Sequence, residues 1–212
     1  MIFPEEKISA LLAQYCEALP FAVSQQQQQQ LLAFLALVHK WNKTYNLTSV
    51  RDPLDMVAVH LVDSIAVHPH TYGQRLIDVG TGPGLPGVPL AIMQPDTQFV
   101  LLDSLGKRIR FLKQVAFELK LANIEPVQSR VENYVVEQGF DGVVTRAYAS
   151  VQDMLDSCQH LISNKGRFIA LKGQFPEQEL NGISDNFMMQ ESHEIAVPGL
   201  DAQRHVIILK KQ

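Results

Sequence analysis

Hydrophobic and polar positions change their spacing near residue 75. Upstream, Ile8, Leu11, Leu12 and Tyr15 recur at the spacing of one helix face. Ser24 with Gln27 three residues later forms a capping-box pattern just before Leu31-Leu32-Ala33-Phe34-Leu35. The six-glutamine run from Gln25 to Gln30 is therefore expected as the exposed first turns of that helix, since glutamine is a fair helix former. A third helix is expected over about 55–67, between Pro53 and Pro69. Downstream, short apolar runs at 76–79, 99–102, 124–128, 142–145, 167–171 and 205–209 read as strands. Helical segments are expected between them at 88–93, 107–119, 151–161 and 176–182.

Strands alternating with helices predict a parallel, doubly wound α/β sheet with right-handed crossovers. The last stretch, 183–210, differs: Pro198-Gly199 separates Ile195-Ala196-Val197 from Val206-Ile207-Ile208-Leu209. Both runs are expected to be antiparallel strands closing one sheet edge. The organisation expected is an N-terminal helical extension, 1–72, on a sheet domain, 73–212, with no linker long enough to separate independent units.

Composition narrows the class. Of 212 residues, 46% are hydrophobic and 19% charged, which is globular rather than disordered. Cys16 and Cys158 lie far apart without metal-ligand spacing, so no disulfide scaffold or zinc site is expected; two buried thiols and a reducing cytoplasm are. No apolar run approaches the roughly 20 residues that span a bilayer, and Met-Ile-Phe-Pro-Glu-Glu lacks the basic and apolar regions of a signal peptide. The net charge of −4 is not that of a free-standing nucleic-acid binder. An RNA partner would require the basic residues to gather on one face; Lys40, Lys43, Arg51, Lys107, Arg108, Arg110 and Lys113 are the candidates.

The most informative stretch runs from Arg75 to Ile92. It reads as a buried strand, a turn from Gly80 to Gly87, and the start of a helix. Glycines there let a ligand approach the backbone. Asp103, at the end of the second strand and 23 residues after Gly80, stands where a ribose-binding acid is expected in a nucleoside-binding βαβ unit. A literal Gly82-x-Gly84-x-x-Gly87 makes a dinucleotide the obvious rival. Pro83, Pro86 and Pro89 lack the N–H groups that hold a pyrophosphate. Asp78 would repel a pyrophosphate and suits a cofactor with an amino group and no phosphate; the alternative is that it only caps the turn. S-adenosylmethionine fits: a ribose, an ammonium, and a sulfonium favoured by a negative pocket.

Other positions take weaker readings. Lys107, Arg108 and Arg110 face either an RNA phosphate or solvent. Val131 and Glu132 follow the third strand, where backbone groups bracket an adenine edge, although Glu132 equally suits a helix start. Arg146, at the end of the fourth strand, is placed at the crevice where open parallel sheets bind ligands. Trp41 and Tyr45 either stack on a base or pack the helical cap onto the sheet. Asn42 and Asn46 are expected to tie their helix end to the turn at Gly80, and His60 and Asp63 are candidates for a lid.

Five motifs occur in order: Trp41-Asn42-x-x-x-Asn46-Leu47-Thr48; Asp78-Val79-Gly80-Thr81-Gly82-x-Gly84-Leu85-Pro86-Gly87; Leu101-Leu102-Asp103-Ser104-x-x-Lys107-Arg108; Arg130-Val131-Glu132; and Thr145-Arg146-Ala147. With Ala170-Leu171-Lys172-Gly173, they resemble the RsmG (GidB) family of bacterial small-subunit rRNA guanine-N7 methyltransferases from about residue 30 onward. The resemblance implies a Rossmann-like class I methyltransferase fold, mostly parallel with an antiparallel edge, and S-adenosylmethionine as donor. It implies a guanine N7 in the decoding-region loop of 16S rRNA as acceptor. Naked rRNA, the 30S subunit and an assembly intermediate all stay open as substrates, the net charge of −4 favouring RNA within the 30S subunit or an intermediate; no metal and no membrane are expected. Cofactor contacts are expected at Asp78, Gly80, Gly82, Leu85, Asp103, Val131, Glu132 and Arg146, and RNA contacts at Lys43, Lys107, Arg108 and Lys172. Guanine N7 carries a lone pair and no proton, so Arg146 is expected to position base or phosphate rather than move a proton. The other classes are a methyltransferase with a protein or small-molecule acceptor, a nucleotide-dependent oxidoreductase, and a non-catalytic module that senses the cofactor.

Overall fold

The computed structural model describes residues 3–146 and 148–212. Met1, Ile2 and Ala147 fall outside the described residues, and with them the first two positions of the expected extension and the alanine of Thr145-Arg146-Ala147. Helix α1 (Glu5–Glu17) leads to α2 (Gln25–Tyr45). A short α3 (Pro53–Met56) runs through a π-helical segment (Val57–Val62) into α4 (Asp63–Ile65). Pro53 is thus the first helical residue rather than a flank, because Asp52 caps the Leu54 amide and a proline at the first position gives up no needed donor.

The sheet part comprises β1 (Arg75–Val79), α5 (Gly87–Met93), β2 (Gln98–Asp103), α6 (Gly106–Leu119), β3 (Ile124–Gln128), β4 (Phe140–Thr145), α7 (Val151–Cys158), β5 (Ile162–Lys172), α8 (Glu177–Asn181), β6 (Phe187–Glu194) and β7 (His205–Lys211). The strand order is β3-β2-β1-β4-β5-β7-β6. The first five strands pair in parallel, and β7 is antiparallel to both β5 and β6.

The expected edge strand at 195–197 is a correction. The edge is β6, and Ile195 instead donates its amide to the Arg204 carbonyl beyond the strand. An edge strand needs no buried apolar run, and in β6 the buried Phe187 is followed by exposed Met188 and Met189 and then by polar residues from Gln190 to Glu194. Helix α7 also stops short of 161, because Leu161 turns back onto Cys158 and β5 begins at once.

The period of two along the strands builds two cores. Leu76, Phe99 and Leu101 face a cluster with Ile8, Leu12, Leu31, Phe34 and Leu35 of the N-terminal helices and Phe111 of α6. Ile77, Val79, Val100 and Leu102 face the other side, with Val151, Met154 and Leu155 of α7. The N-terminal helices therefore share their core with one face of the sheet. Trp41 stacks on Tyr45 at 5.1 Å and lies 5.5 Å from Phe111, so it packs α2 onto α6. Cys16 and Cys158 are both buried thiols. Among the described residues no helix is long and apolar enough to cross a membrane.

The glutamine run does more than face solvent. Ser24 and Gln27 form the reciprocal capping box, and the Gln27 amide also donates to the Ile92 and Met93 carbonyls at 3.4 and 3.3 Å. One side chain thus closes the start of α2 and the end of α5, where carbonyls otherwise lack partners. Ser24→Ala is expected to cost about 1 kcal/mol, seen as a fall of about 2–4 °C in melting temperature. An unchanged melt would show that the cap carries no stability.

Candidate active site

Strand β1 sits beside both β2 and β4, so chain order reverses at its C-terminal end, where open α/β sheets bind ligands. A cleft opens there, lined by Val79, Gly80, Asp103, Arg108, Val131 and Tyr148 among others. Its floor is the loop after β1. Gly80, Gly82 and Gly84 take φ of 71°, 59° and 92°, the left-handed region that favours glycine.

The loop is closed on itself. Gly80 and Thr81 donate their amides to the Leu102 carbonyl, Gly84 and Leu85 to Thr81, and Val88 to Gly84. The Gly82 amide goes to Asp103 Oδ2 at 3.0 Å and the Gly87 amide to Asp78 Oδ2 at 2.8 Å. Every non-proline amide from Gly80 to Val88 is therefore used within the protein. None is left to cradle a pyrophosphate, which removes the dinucleotide reading on firmer ground than the prolines alone.

Asp78 corrects part of the sequence reading. Strand alternation turns its side chain under α5, where Oδ2 accepts from the Thr81 hydroxyl at 2.6 Å and from Gly87. It does not line the cleft and does cap the turn. Burial pushes its carboxyl up to about 6, against the hydrogen bonds from Thr81 and Gly87. Its Oδ1 is buried without a partner, an unmet acceptor of the kind a cofactor ammonium satisfies.

Asp103 is 4% exposed and binds on three sides. Oδ2 accepts from Gly82 and from Arg108 Nη1 at 2.9 Å, and Oδ1 accepts from the Leu105 amide. Arg108, expected on RNA, is thus held in the cleft by an ion pair. Lys172, also expected on RNA, is likewise paired, with Glu179 at 2.9 Å, and largely buried. The carboxylates lie five and seven residues along the chain, and the turns after β2 and β5 bring them into contact. Lys107 and Lys43 remain on the exposed surface, Lys107 donating to the Tyr45 carbonyl.

Val131 and Glu132 sit on a 3-10 turn (Val131–Asn133) at the cleft wall. Leu85 is buried within the loop and, like Gly82, lies beneath the cleft rather than along it. Asn42 and Asn46 do not reach Gly80. Asn42 holds Thr48 and Val50, and Asn46 accepts from Arg51, so both shape the loop after α2. Ser104 and Arg130 of the sequence motifs line the cleft, as do Ser129 and Tyr148, which belong to none of those motifs.

A second pocket lies alongside, over the ends of β4 and β5 and under the N-terminal helices. Arg146 and Lys172 line it and also a groove shared with Tyr148, which continues into the first cleft. Arg146 donates to Asp63 Oδ2 at 3.1 Å and to the Val59 carbonyl at 3.4 Å. His60 is buried, its Nε2 3.0 Å from the Thr48 hydroxyl. Burial, with the nearby Arg146 charge, lowers its pKa to about 4, so the ring is neutral near pH 7.

This strand order, with one antiparallel strand inserted beside β5, a glycine loop after β1 and a buried acid ending β2, defines a class I S-adenosylmethionine-dependent methyltransferase. The fold is similar to that of coclaurine N-methyltransferase (TM-score 0.58, 8% identity, 98% of this chain and 94% of that one). It is also similar to TrmN from Thermus thermophilus (TM-score 0.55, 15% identity, 81% and 53%). Residues 27–207 match the family described as rRNA small subunit methyltransferase G, and the chain belongs to that family. Relatives named ribosomal RNA small subunit methyltransferase G include one from Shewanella amazonensis, 62% identical over 189 residues (89% of this chain, 92% of the relative). Another, from Idiomarina loihiensis, is 56% identical over 190 residues (90% and 92%).

Proposed function

We propose that this protein transfers a methyl group from S-adenosylmethionine to N7 of a guanine in the decoding-region loop of 16S rRNA, acting on the 30S subunit or an assembly intermediate. The observation that carries the donor is the closed loop: its amides are satisfied, its turn is built on Asp78, and its cleft is walled by Asp103, which suits a ribose and an ammonium and not a pyrophosphate. The relatives' name supports small-subunit rRNA as the substrate, and the motif resemblance supports guanine N7.

The donor supplies an electrophilic methyl on a sulfonium. Asp103 fixes the ribose, and the backbone at Val131 and Glu132 brackets the adenine. Arg146, where the cleft meets the second pocket, orients the acceptor. Attack by a neutral N7 lone pair requires alignment and no proton acceptor. The cleft agrees with that: Asp103 is held by an ion pair with Arg108 and by two backbone amides, and burial pushes the Tyr148 phenol above its ordinary range. Lys40, Lys43, Lys107, Arg110 and Lys113 are exposed on α2 and α6, which pack together, so a chain of net charge −4 still offers a basic face to RNA.

The test is transfer of a labelled methyl from S-adenosylmethionine to 30S subunits lacking the modification, with naked 16S rRNA in parallel and mapping by strand scission at N7-methylguanine. A single labelled guanine in the decoding region is expected. Label on protein, on another atom or nowhere would sink the reading.

A further inference from the structure

The second pocket is crossed by one carboxylate holding two arginines. Asp63 is 5% exposed. Its Oδ2 accepts from Arg146 Nη1 at 3.1 Å and its Oδ1 from Arg204 Nε at 2.6 Å. Arg204 lies just before β7, 141 residues from Asp63, and its Nη1 is steadied by the Gln203 carbonyl. Each guanidinium has five donors and gives Asp63 only one, so both forks keep donors for a ligand. Their side chains are 31% and 29% exposed on the pocket wall, whereas the carboxylate beneath is 6% exposed.

The charges select a ligand class. Two guanidiniums and one carboxylate leave one net positive charge. Lys172 is neutralised by Glu179, and His60 is neutral. The remaining wall combines apolar Val50, Val59, Val67, Leu171 and Val197 with Thr48, Ser49 and His205. A guanine methylated at N7 becomes cationic, so a guanidinium on the base would oppose the reaction by Coulomb repulsion. A guanidinium pair on the anionic phosphate carries no such penalty and matches its geometry.

Resting on the methyl-transfer reading above, we propose that Arg146 and Arg204 form a paired clamp for the phosphate of the target nucleotide, and that Asp63 is the positioning residue that sets it. The apolar part of the wall takes the base face. The N-terminal helical segment and the loop before β7 meet in this clamp, so the acceptor side draws on both ends of the chain.

The clamp is tested with Arg204→Ala, Arg204→Lys, Asp63→Asn and the double variant Asp63→Asn/Arg204→Ala. The readouts are the dissociation constant for unmodified 30S subunits across a salt series, KM and kcat for methyl transfer, S-adenosylhomocysteine affinity and the melting temperature. Arg204→Ala is expected to weaken 30S binding and raise KM about tenfold. It should lower the salt slope by about one unit, with kcat and S-adenosylhomocysteine affinity changed less than threefold. Arg204→Lys should restore the salt slope but only part of the affinity, having the charge without the fork. Asp63→Asn should weaken binding as much, and the double variant no further, because the residues act as one unit. Wild-type binding and salt slope in a folded Arg204→Ala would overturn the clamp and leave methyl transfer standing. Equal loss of S-adenosylhomocysteine affinity would overturn it as well, since Arg204 would then be scaffold. No transfer to either RNA by the wild-type protein overturns the methylation reading and the clamp together.

Discussion

Asp103→Ala is expected to weaken S-adenosylhomocysteine binding about 100-fold, equivalent to about 2.7 kcal/mol. The carboxylate is buried at the end of β2 and gathers the Gly82 amide, the Leu105 amide and the Arg108 guanidinium. Removing it deletes the expected hydrogen bonds to the ribose hydroxyls, each worth about 1.5–3 kcal/mol when the acceptor is charged. It also strands Arg108, whose Nε is already buried without a partner. Asp103→Asn keeps one acceptor oxygen and the shape and should lose about tenfold. Isothermal calorimetry reads both. A change of less than threefold for the alanine variant would remove Asp103 from the cofactor site.

The second large effect is on the loop itself. Gly84 has φ of 92°, and a Cβ there would sit 2.6 Å from Val88 Cγ2 and 2.8 Å from Leu112 Cδ2. Both neighbours are fully buried. Gly84→Ala therefore combines a backbone conformation that L side chains avoid with overpacking between α5 and α6, at a cost of about 3 kcal/mol. The melting temperature should fall by about 10 °C. Gly82→Ala is the control: its φ is also positive, at 59°, but its Cβ would meet only the Gly80 carbonyl at 3.9 Å. It should cost about 1 kcal/mol, the backbone share alone. Thermal melts that place the two variants within 2 °C of each other would show that the close packing at Gly84 is relieved at little cost.

Much of this was legible in the chain because it is local. The strand-turn-helix around Gly80, the Ser24–Gln27 cap and the acid at the end of β2 are each written within a few residues. What escaped depends on backbone geometry. Arg108 and Lys172 look like open cations until the turns after β2 and β5 fold Asp103 and Glu179, five and seven residues away, against them. Arg204 sits in an irregular loop with no pattern around it, and only the fold brings it to Asp63. Strand β6 escaped because an exposed edge tolerates a polar sequence, so periodicity had nothing to report. Asp78 admits two readings from sequence, and the fold gives one oxygen to each: Oδ2 caps the turn at Gly87, while Oδ1 has no partner within the protein.

The loop after β1 has a further consequence for binding thermodynamics. Its amides are all hydrogen-bonded without any ligand. They should resist deuterium exchange in the free protein nearly as well as those of β1, and gain little further protection when the cofactor arrives. The cleft is therefore preorganised, and the ordering entropy that usually weakens ligand binding is already met by folding.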